Sequence, residues 1–550
     1  MSYVIEAERL ASMNLREAGA PGKYEIVIPE KANMAADSVG RHARTRPDHL
    51  ALVFEDAELK TRTWTFAELD TDAAGLAAAL AALGVGRGDR VAIHTGLRPE
   101  TGIAHLAVYK LGAIAVTLSQ LYGPDTLVHI LNHSGAGVIV TQDSAWDRYR
   151  TDLDAFPELR HRIVVGEVKG EEIGFEDCLI GSGVDFRAAQ TDADDPALLL
   201  YTSGSTGLPK GILHGHRILQ AYMPSLSLAF NLDRDNPNSV FWSPADWAWV
   251  GGLLDMLLIA WAFGHTVATS EARFDAEWAF EFMARRKVTH TFLTPTALKR
   301  VAQVKARREL ALRVICTGGE PLPGAVLNWA EEDLGVVCNE FYGLTEVNHL
   351  IGNCHALFSP RPGSMGVAYP GHGTTVVDDQ GNELPDGEVG EIVTRGDDVT
   401  QFLGYWKDPD RTDDLRLGPW LRTGDLGLRD ADGYFWYRGR ADDLIKSAGY
   451  RIGPAEVEDC LVRHAAVAEA AVVGSPDPDR GAVVKAFIRL AGGHAVTEDL
   501  TAELQAHVKS NLAVYKYPRE IEYVDQFELT SSSKIDRKAL RQLERERKGM

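Results

Sequence analysis

The segment YTSGSTGLPKG at 201–211 decides how this chain is read. It follows the apolar run ALLLY (197–201), so it is a loop leaving the end of a buried strand. Three glycines let the backbone turn tightly and offer N–H groups to a phosphate. Thr202, Ser203, Ser205 and Thr206 add hydroxyl donors among Gly204 and Gly207, and Lys210 adds a positive charge. The spacing is not that of a Walker A loop, in which GxxxxGK is followed by Ser or Thr; here Gly211 follows the lysine. The competing reading is a flexible Ser/Gly surface loop. Pro209-Lys210 at its end and the buried strand before it favour a phosphate-binding loop.

Outward from this loop, short β-branched runs alternate with Ala/Leu-rich stretches. ALVF (51–54), VAIH (91–94), GAIAVT (112–117), GVIVT (137–141) and RVIC (313–316) read as strands, and FAELDTDAAGLAAALAAL (66–83) has helical periodicity. Strands separated by helices predict βαβ units and mostly parallel sheets. From Thr374 the texture changes to short strands joined by Asp-Gly and Gly-Asn turns, an antiparallel pattern. After Arg440 a compact pattern of helix, two strands and helix follows. The expected fold class is α/β: a large N-terminal domain of two βαβ-type subdomains plus a small β-barrel-like subdomain, and a small α+β C-terminal domain joined by a hinge. The expected domains are 1–439 and 440–550, and the Lys/Arg-rich last turns should end in a frayed helix.

Composition narrows the function. Lys plus Arg is 57 against 78 Asp plus Glu in 550 residues, a net charge of −21. That balance gives no general cationic field for nucleic acid or an anionic membrane, yet permits a local pocket for a small anion. Five scattered cysteines without a CxxC pair support neither a disulfide framework nor a zinc site. The stretch GGLLDMLLIAWAF (251–263) is too short for a membrane span and contains Asp255, so it reads as a buried helix. MSYVIEAERLASMN has acidic residues where a signal peptide needs an apolar core, and Ser2 stands where myristoylation needs glycine. A cytoplasmic location is the expectation.

Four further segments stand in a fixed order after the loop: FYGLTE (341–346), LRTGDLG (421–427), GRADDLIKSAGYRI (439–452) and SKIDR (533–537). Together with 201–211 they resemble the signature motifs of the adenylate-forming superfamily, which comprises acyl-CoA synthetases, peptide-synthetase adenylation domains and luciferases. The resemblance is greatest to medium-chain acyl-CoA synthetases and covers the whole chain. It implies an AMP-forming acyl-CoA synthetase that uses ATP, Mg2+ and CoA: a carboxylic acid is activated to an acyl-adenylate, and the acyl group then passes to CoA. Under this resemblance the nucleotide is bound by residues 202–207, Lys210, Glu340, Phe341, Tyr342 and Gly343. Tyr342 stacks on adenine, Thr345 bonds the α-phosphate and Glu346 helps hold the metal. Asp425 accepts the ribose hydroxyls and Arg440 reinforces the nucleotide. Asp442 is the hinge. In one conformation Lys534 is delivered to the α-phosphate; in the other the loop at 447–451 borders the pantetheine tunnel. Ala448, Gly449 and Tyr450, with Arg480, Lys516, Tyr517 and Arg519, fall on the CoA side, where arginine suits phosphate.

Each of these residues also has a plainer reading. Glu346 can be a helix N-terminal carboxylate capped by Thr345, Asp425 an Asx-turn residue, Arg440 a surface salt bridge and Gly449 an ordinary turn glycine. The resemblance places Trp247, Trp249, Gly251, Gly318, Gly319, Gly343, Val347 and Arg451 around the acyl chain. Acetyl-CoA synthetases resembling this chain put a tryptophan where Gly343 stands, and Gly251 and Gly318 also fall on wall positions, so room beyond acetate is expected. Trp247 and Trp249 either refill that room or pack in the core. His349 either reads a polar group or is a core or surface histidine. The expected substrate is a medium-chain, branched or small aromatic acid.

The chain departs from the family in ELTSSSK (528–534), where Ser533 replaces a glycine. If that backbone needs positive φ, serine costs about 1–2 kcal/mol. The alternatives are a ligase with a non-CoA acceptor, an acetate- or propionate-specific CoA ligase, and a catalytically weak acyl or nucleotide sensor. A homodimer is compatible with the sequence, and neither nucleic acid nor integral membrane association is expected.

Overall fold

The computed structural model describes residues 3–548 except 21, 180–185, 203–207, 306–307, 321, 442, 448–449, 479 and 529–534. The chain divides into two compact units, Met1–Gly373 with Gly396–Leu415, and Thr374–Arg395 with Arg416–Met550.

In the first unit the apolar runs become two largely parallel sheets. One places Arg90–His94 between Ile114–Thr117 and Val138–Gln142, all parallel, with Ala92 opposite Val116 and Ile139. Pro196–Thr202 adds in parallel beside Ile114–Thr117, and Lys210–Gly215 returns antiparallel to it, Thr202 opposite Lys210. Gly404–Tyr405 closes that edge. The second sheet runs Val337–Leu344, Val314–Gly318, His290–Phe292, Val240–Trp242, Thr266–Ser270 and Leu50–Glu55 in parallel order. The intervening helices begin and end where local chemistry dictates. Phe66–Ala82 starts at a capping box, Thr65 and Glu68 satisfying each other's backbone N–H. Pro99–Leu111 and Pro124–Ser134 start with proline and end at Gly112 and Gly135, both left-handed. The 251–263 stretch is a buried helix, with a π-helical turn at Leu253–Leu258. No described helix is long and apolar enough to cross a membrane.

The second unit bears out the change of texture at Thr374. Thr375–Val377, Gly390–Arg395, Trp420–Arg429 and Tyr434–Arg440 form an antiparallel set. Beyond it, Val467–Asp477 and Gly481–Leu490 pair antiparallel, Glu520–Tyr523 joins in parallel, and the helices Pro454–Val462 and Glu498–Asn511 cover an apolar core that includes Val457, Leu461, Val472, Ile488 and Leu504. The frayed C-terminal helix expected from composition is instead a docked one, Arg537–Arg547. Its Glu544 is fully buried and accepts hydrogen bonds from Lys485 Nζ at 2.7 Å and Ser475 Oγ at 2.8 Å, while Arg537 pairs with Glu458 at 2.6 Å and Arg541 with Asp443. A run of basic residues thus reads as solvated only until its partners from distant parts of the second unit are known.

The first unit stores an acid sensitivity. Burial pushes His94, His214 and His216 down to about 4 and His105 to about 3. A histidine lowered on folding stabilises fully above its unfolded value near 6.5, and that contribution fades as pH falls towards the folded value. Each therefore withdraws about 2 kcal/mol between pH 7 and pH 5. The thermal midpoint is expected to fall steeply over that interval, and His105→Gln to fall less. An unchanged slope in the variant would remove His105 from the account.

Candidate functional site

Two hairpin turns and one edge strand build the centre of the first unit. In the first hairpin Pro196–Thr202 pairs antiparallel with Lys210–Gly215, and Lys210 stands at the end of the pair opposite Thr202. The second joins Val337–Leu344 to Asn348–Gly352, and its turn is Thr345, Glu346 and Val347. FYGLTE is therefore a strand end and a β-turn, which removes the reading of Glu346 as a helix N-terminal carboxylate. Lys210 Nζ lies 2.8 Å from Glu346 Oε1 and 2.7 Å from Tyr405 Oη, and Tyr405 Oη donates to the same carboxylate oxygen at 2.7 Å. Backbone bonds fix the arrangement: Phe402 N–H donates to Glu346 O, Leu403 N–H to Leu213 O and Trp406 N–H to Gly211 O. His214, on the same strand as Lys210, donates Nε2–H to Thr345 O at 2.8 Å, and burial keeps its ring neutral.

Burial opposes ionisation of Glu346, but the Lys210 charge and the hydrogen bonds from Lys210 and Tyr405 outweigh it and hold the carboxyl below its ordinary range. The result is a buried anion beside a cation at the start of the strand that follows the glycine-rich segment. A Mg2+ ion carried by nucleotide phosphates needs only one or two protein carboxylates, and Glu346 fits that requirement. Tyr405 and His214 escaped the sequence reading. A GY pair 58 residues beyond the turn carries no local signal, and a histidine in an apolar strand reads as core.

The expected acyl wall forms differently from the expectation of open room. A Cβ on Gly343 would stand 1.9 Å from Asn348 O, on Gly251 2.7 Å from Phe292 Cε1, and on Gly318 2.7 Å from Phe341 O. The volume vacated at these glycines is thus taken by the facing hairpin backbone and by Phe292 and Phe341, whose rings stack at 5.7 Å. Phe341 also lies 4.1 Å from the His349 ring. Trp247 and Val347 are buried, Gly319 is left-handed, and Trp249 packs edge-on against Tyr122 at 5.8 Å within the first sheet's core. Glu340 is buried and accepts from Leu322 N–H at 3.3 Å; Tyr342 is half-buried.

In the second unit Asp425 is in no turn. It lies within the strand Trp420–Arg429, preceded by Gly424 at φ 73°, and is directly opposite Arg440. Thr423 Oγ1 accepts from Asp425 N–H and donates to Ile392 O, while Gly424 N–H donates to Glu391. This mount leaves the carboxylate 3.5 Å from Tyr437 Oη and 3.6 Å from Arg440 Nη1. Burial first, then the Asp425 charge, pushes the Tyr437 hydroxyl well up. On the expected CoA side, Tyr450 stacks on Tyr515 at 4.1 Å, both exposed; Lys509 and Arg519 sit over the Tyr517 ring. Lys516 is bound at 2.6 Å to Glu456, and the exposed Arg480 is anchored by its N–H to Asp477. Ser203, Gly204, Ser205, Thr206, Gly207, Asp442, Ala448, Gly449 and Lys534 lie outside the described residues, as does the side chain of Arg451.

A phosphate-type loop whose lysine meets a buried acidic turn, on a two-sheet α/β body followed by a small α+β unit, defines a nucleotide-activating enzyme. The chain belongs to the AMP-binding enzyme family: that family's model matches residues 39–406, and the model of the AMP-binding enzyme C-terminal domain matches 456–534. It is similar to the acetyl-coenzyme A synthetase of Bacillus subtilis (33% identity, 93% of this chain and 90% of the relative). It is also similar to the mitochondrial acyl-coenzyme A synthetase ACSM4 of Mus musculus (32%, 98% and 95%). Among solved structures it resembles the anthranilate CoA ligase AuaEII in complex with anthranoyl-AMP, with a TM-score of 0.85 at 29% identity over 95% of this chain and 99% of that one.

Substitutions at the turn should rank by charge. Glu346→Gln and Lys210→Ala are each expected to slow acid-dependent exchange of pyrophosphate into ATP by about 10²-fold or more, and Glu346→Gln to raise the Mg2+ concentration needed for half the rate. Tyr405→Phe, which removes one hydrogen bond, should cost about 10-fold or less. A Tyr405→Phe defect larger than that of Glu346→Gln would contradict this ordering.

Proposed function

We propose that the chain activates a medium-chain, branched or small aromatic carboxylic acid. It is an AMP-forming acid–CoA ligase that uses ATP, Mg2+ and CoA. The observation that carries the reading is the meeting of Lys210 with Glu346 and Tyr405, because adenylation by a weak carboxylate nucleophile depends on positioning and on charge placed around the phosphates. A substrate carboxylate oxygen attacks the ATP α-phosphorus, the bond to the bridging oxygen of pyrophosphate breaks, and acyl-AMP forms. The CoA thiol, losing its proton, then attacks the acyl carbonyl, and AMP leaves with the bonding electrons.

In this reading Lys210 turns from Glu346 to the phosphates, Thr345 donates its hydroxyl to an α-phosphate oxygen, and Asp425 accepts the ribose hydroxyls. Glu346 would hold the Mg2+, which when bound would supply positive charge against the phosphates. Lys534 serves the first half-reaction. The second uses a C-terminal domain from residue 440 onward that rotates about Asp442, brings Gly449 to the thiol arm, and presents Arg480, Tyr517 and Arg519 to the CoA phosphates. The stacked and cation-covered tyrosines on the described part of that surface support an anion site with adenine-sized ring partners. The stacked rings of Phe292 and Phe341 support an apolar or aromatic acyl group, and one similar solved structure is named as a benzoate CoA ligase. A cytoplasmic location is part of the same proposal.

Two measurements test the proposal. CoA-dependent AMP release across acetate, butyrate, hexanoate, octanoate, isobutyrate and benzoate should peak beyond propionate; an acetate optimum would reject the substrate range. Lys534→Ala should lower adenylation by about 10²-fold yet largely spare thioester formation from preformed acyl-AMP, and Gly449→Leu should do the reverse. Equal losses in both half-reactions would reject the division of labour between two conformations.

A further inference from the structure

Packed against the stacked Phe292 and Phe341 is a polar pair that none of the steps above uses. Asp255 belongs to the π-helical turn Leu253–Leu258, one turn beyond Gly251, and is 3% exposed. His349, on the strand Asn348–Gly352 beside the catalytic turn, is equally buried, and its Nε2 lies 3.3 Å from Asp255 Oδ2. The other carboxylate oxygen, Oδ1, is buried and has no hydrogen-bond partner among the described residues. The surrounding groups offer it no second cation. Tyr222 commits its hydroxyl to Asn348 Oδ1, and Ser225 Oγ stands 3.5 Å from His349 Nδ1 on the far side of the ring. Leu253, Leu254, Met256, Leu257 and Leu258, all buried, make up the rest of the turn.

A buried acceptor without a donor is costly, and native cores rarely leave one. The position of this one is informative. Gly251 abuts Phe292, Phe292 stacks on Phe341, and Phe341 packs on His349, so the wall runs continuously from apolar rings to the pair. We propose that Asp255, oriented by His349, is a recognition point for a hydrogen-bond donor on the acyl portion of the substrate. The preferred acids then carry a hydroxyl or amino group at the end remote from, or beside, the reacting carboxylate. The inference rests on the acid-ligase reading and on the placement of the wall. It names a chemical class, hydroxy- or amino-substituted carboxylic acids, within the size range already proposed. A site that hydrogen-bonds such a group discriminates against the analogue lacking it, because the parent acid leaves the carboxylate oxygen unpaired.

The test uses the full chain with Mg-ATP and acid-dependent pyrophosphate exchange on matched pairs. Benzoate is compared with the 2-, 3- and 4-hydroxy and amino derivatives, and hexanoate with 6-hydroxy- and 6-aminohexanoate. At least one substituted acid should exceed its parent by about 10- to 100-fold in kcat/KM, and the hydroxy and amino arms identify which donor is read. Asp255→Leu should collapse that ratio to about one, with folding checked by the thermal midpoint. Asp255→Asn, which keeps the shape and one acceptor, should retain part of the ratio and serves if the leucine variant does not fold. Parent acids winning every pair would overturn the recognition point while leaving the ligase reading intact. A ratio undiminished in both variants would place recognition elsewhere and overturn it too. No exchange with any acid would remove the ligase reading and this inference with it.

Discussion

The buried contact between Lys210 and Glu346 is the constraint on which the rest of the first unit depends. Breaking a buried pair by removing one partner leaves an uncompensated charge and costs about 3–5 kcal/mol. The pair therefore dictates the register of everything that carries it. Lys210 must end one hairpin, Glu346 must cap another, and the edge strand Gly404–Tyr405 must bring Tyr405 Oη to the same oxygen. Three segments far apart in the chain are held by one ammonium, one carboxylate and one phenol. The backbone bonds from Phe402, Leu403 and Trp406 make their juxtaposition stiff before any nucleotide arrives. Preorganised charge of this kind is what phosphoryl-type chemistry asks of a protein: on the proposed reading the Lys210 side chain turns to the phosphates while the backbone frame that carries it stays fixed.

Asp255 is another carboxylate buried in the first unit, and the contrast is instructive. Glu346 is paired by a full cation and a hydroxyl, and its ionisation is favoured despite burial. Asp255 has a single histidine at 3.3 Å and one oxygen left over. Glu346 is complete within the folded chain, so its ligand must displace or share a partner. Asp255 is incomplete, so a ligand can add one. Side-chain satisfaction thus separates a group poised for exchange from a group poised for recognition, although both are equally acidic in the sequence.

Much of this was legible before the fold. The runs at 91–94, 112–117 and 137–141 are strands because β-branched residues without charge suit a sheet covered on both faces. The motif at 201–211 reads as leaving the end of a buried strand for the same reason, and that strand is Pro196–Thr202. Other features depend on pairing across long separations, which local pattern does not encode. Asp425 beside Gly424 reads as a turn, yet Thr423 and Glu391 hold it inside a long strand. The basic terminal helix reads as solvated until Lys485, Ser475 and Glu458 are found beneath it. Three glycines read as empty space, but glycine gives up only its own volume, and what enters that volume is decided by the neighbours. Tyr405 and His214 were invisible because their roles consist entirely of which distant atom they reach.

The hairpin at 337–352 joins specificity to catalysis more tightly than its motif implies. Its turn carries Thr345 and Glu346, and its two stems carry Phe341, Gly343 and His349. Because Asn348 O would lie 1.9 Å from any Cβ at position 343, a bulky residue there would not simply shorten the acyl pocket. It would push the second stem away and with it the turn that holds Glu346 against Lys210. A tryptophan at this position in a relative therefore requires a differently arranged second stem, and the identity of Val347-Asn348 is part of the same solution: Asn348, at φ 65°, turns its carbonyl into the space that glycine leaves and binds Tyr222 through its side chain. Phe292 and Asp255 lie on other elements, so substitutions there leave the turn that holds Glu346 in place. Redrawing the acyl wall at Gly343 changes both functions at once.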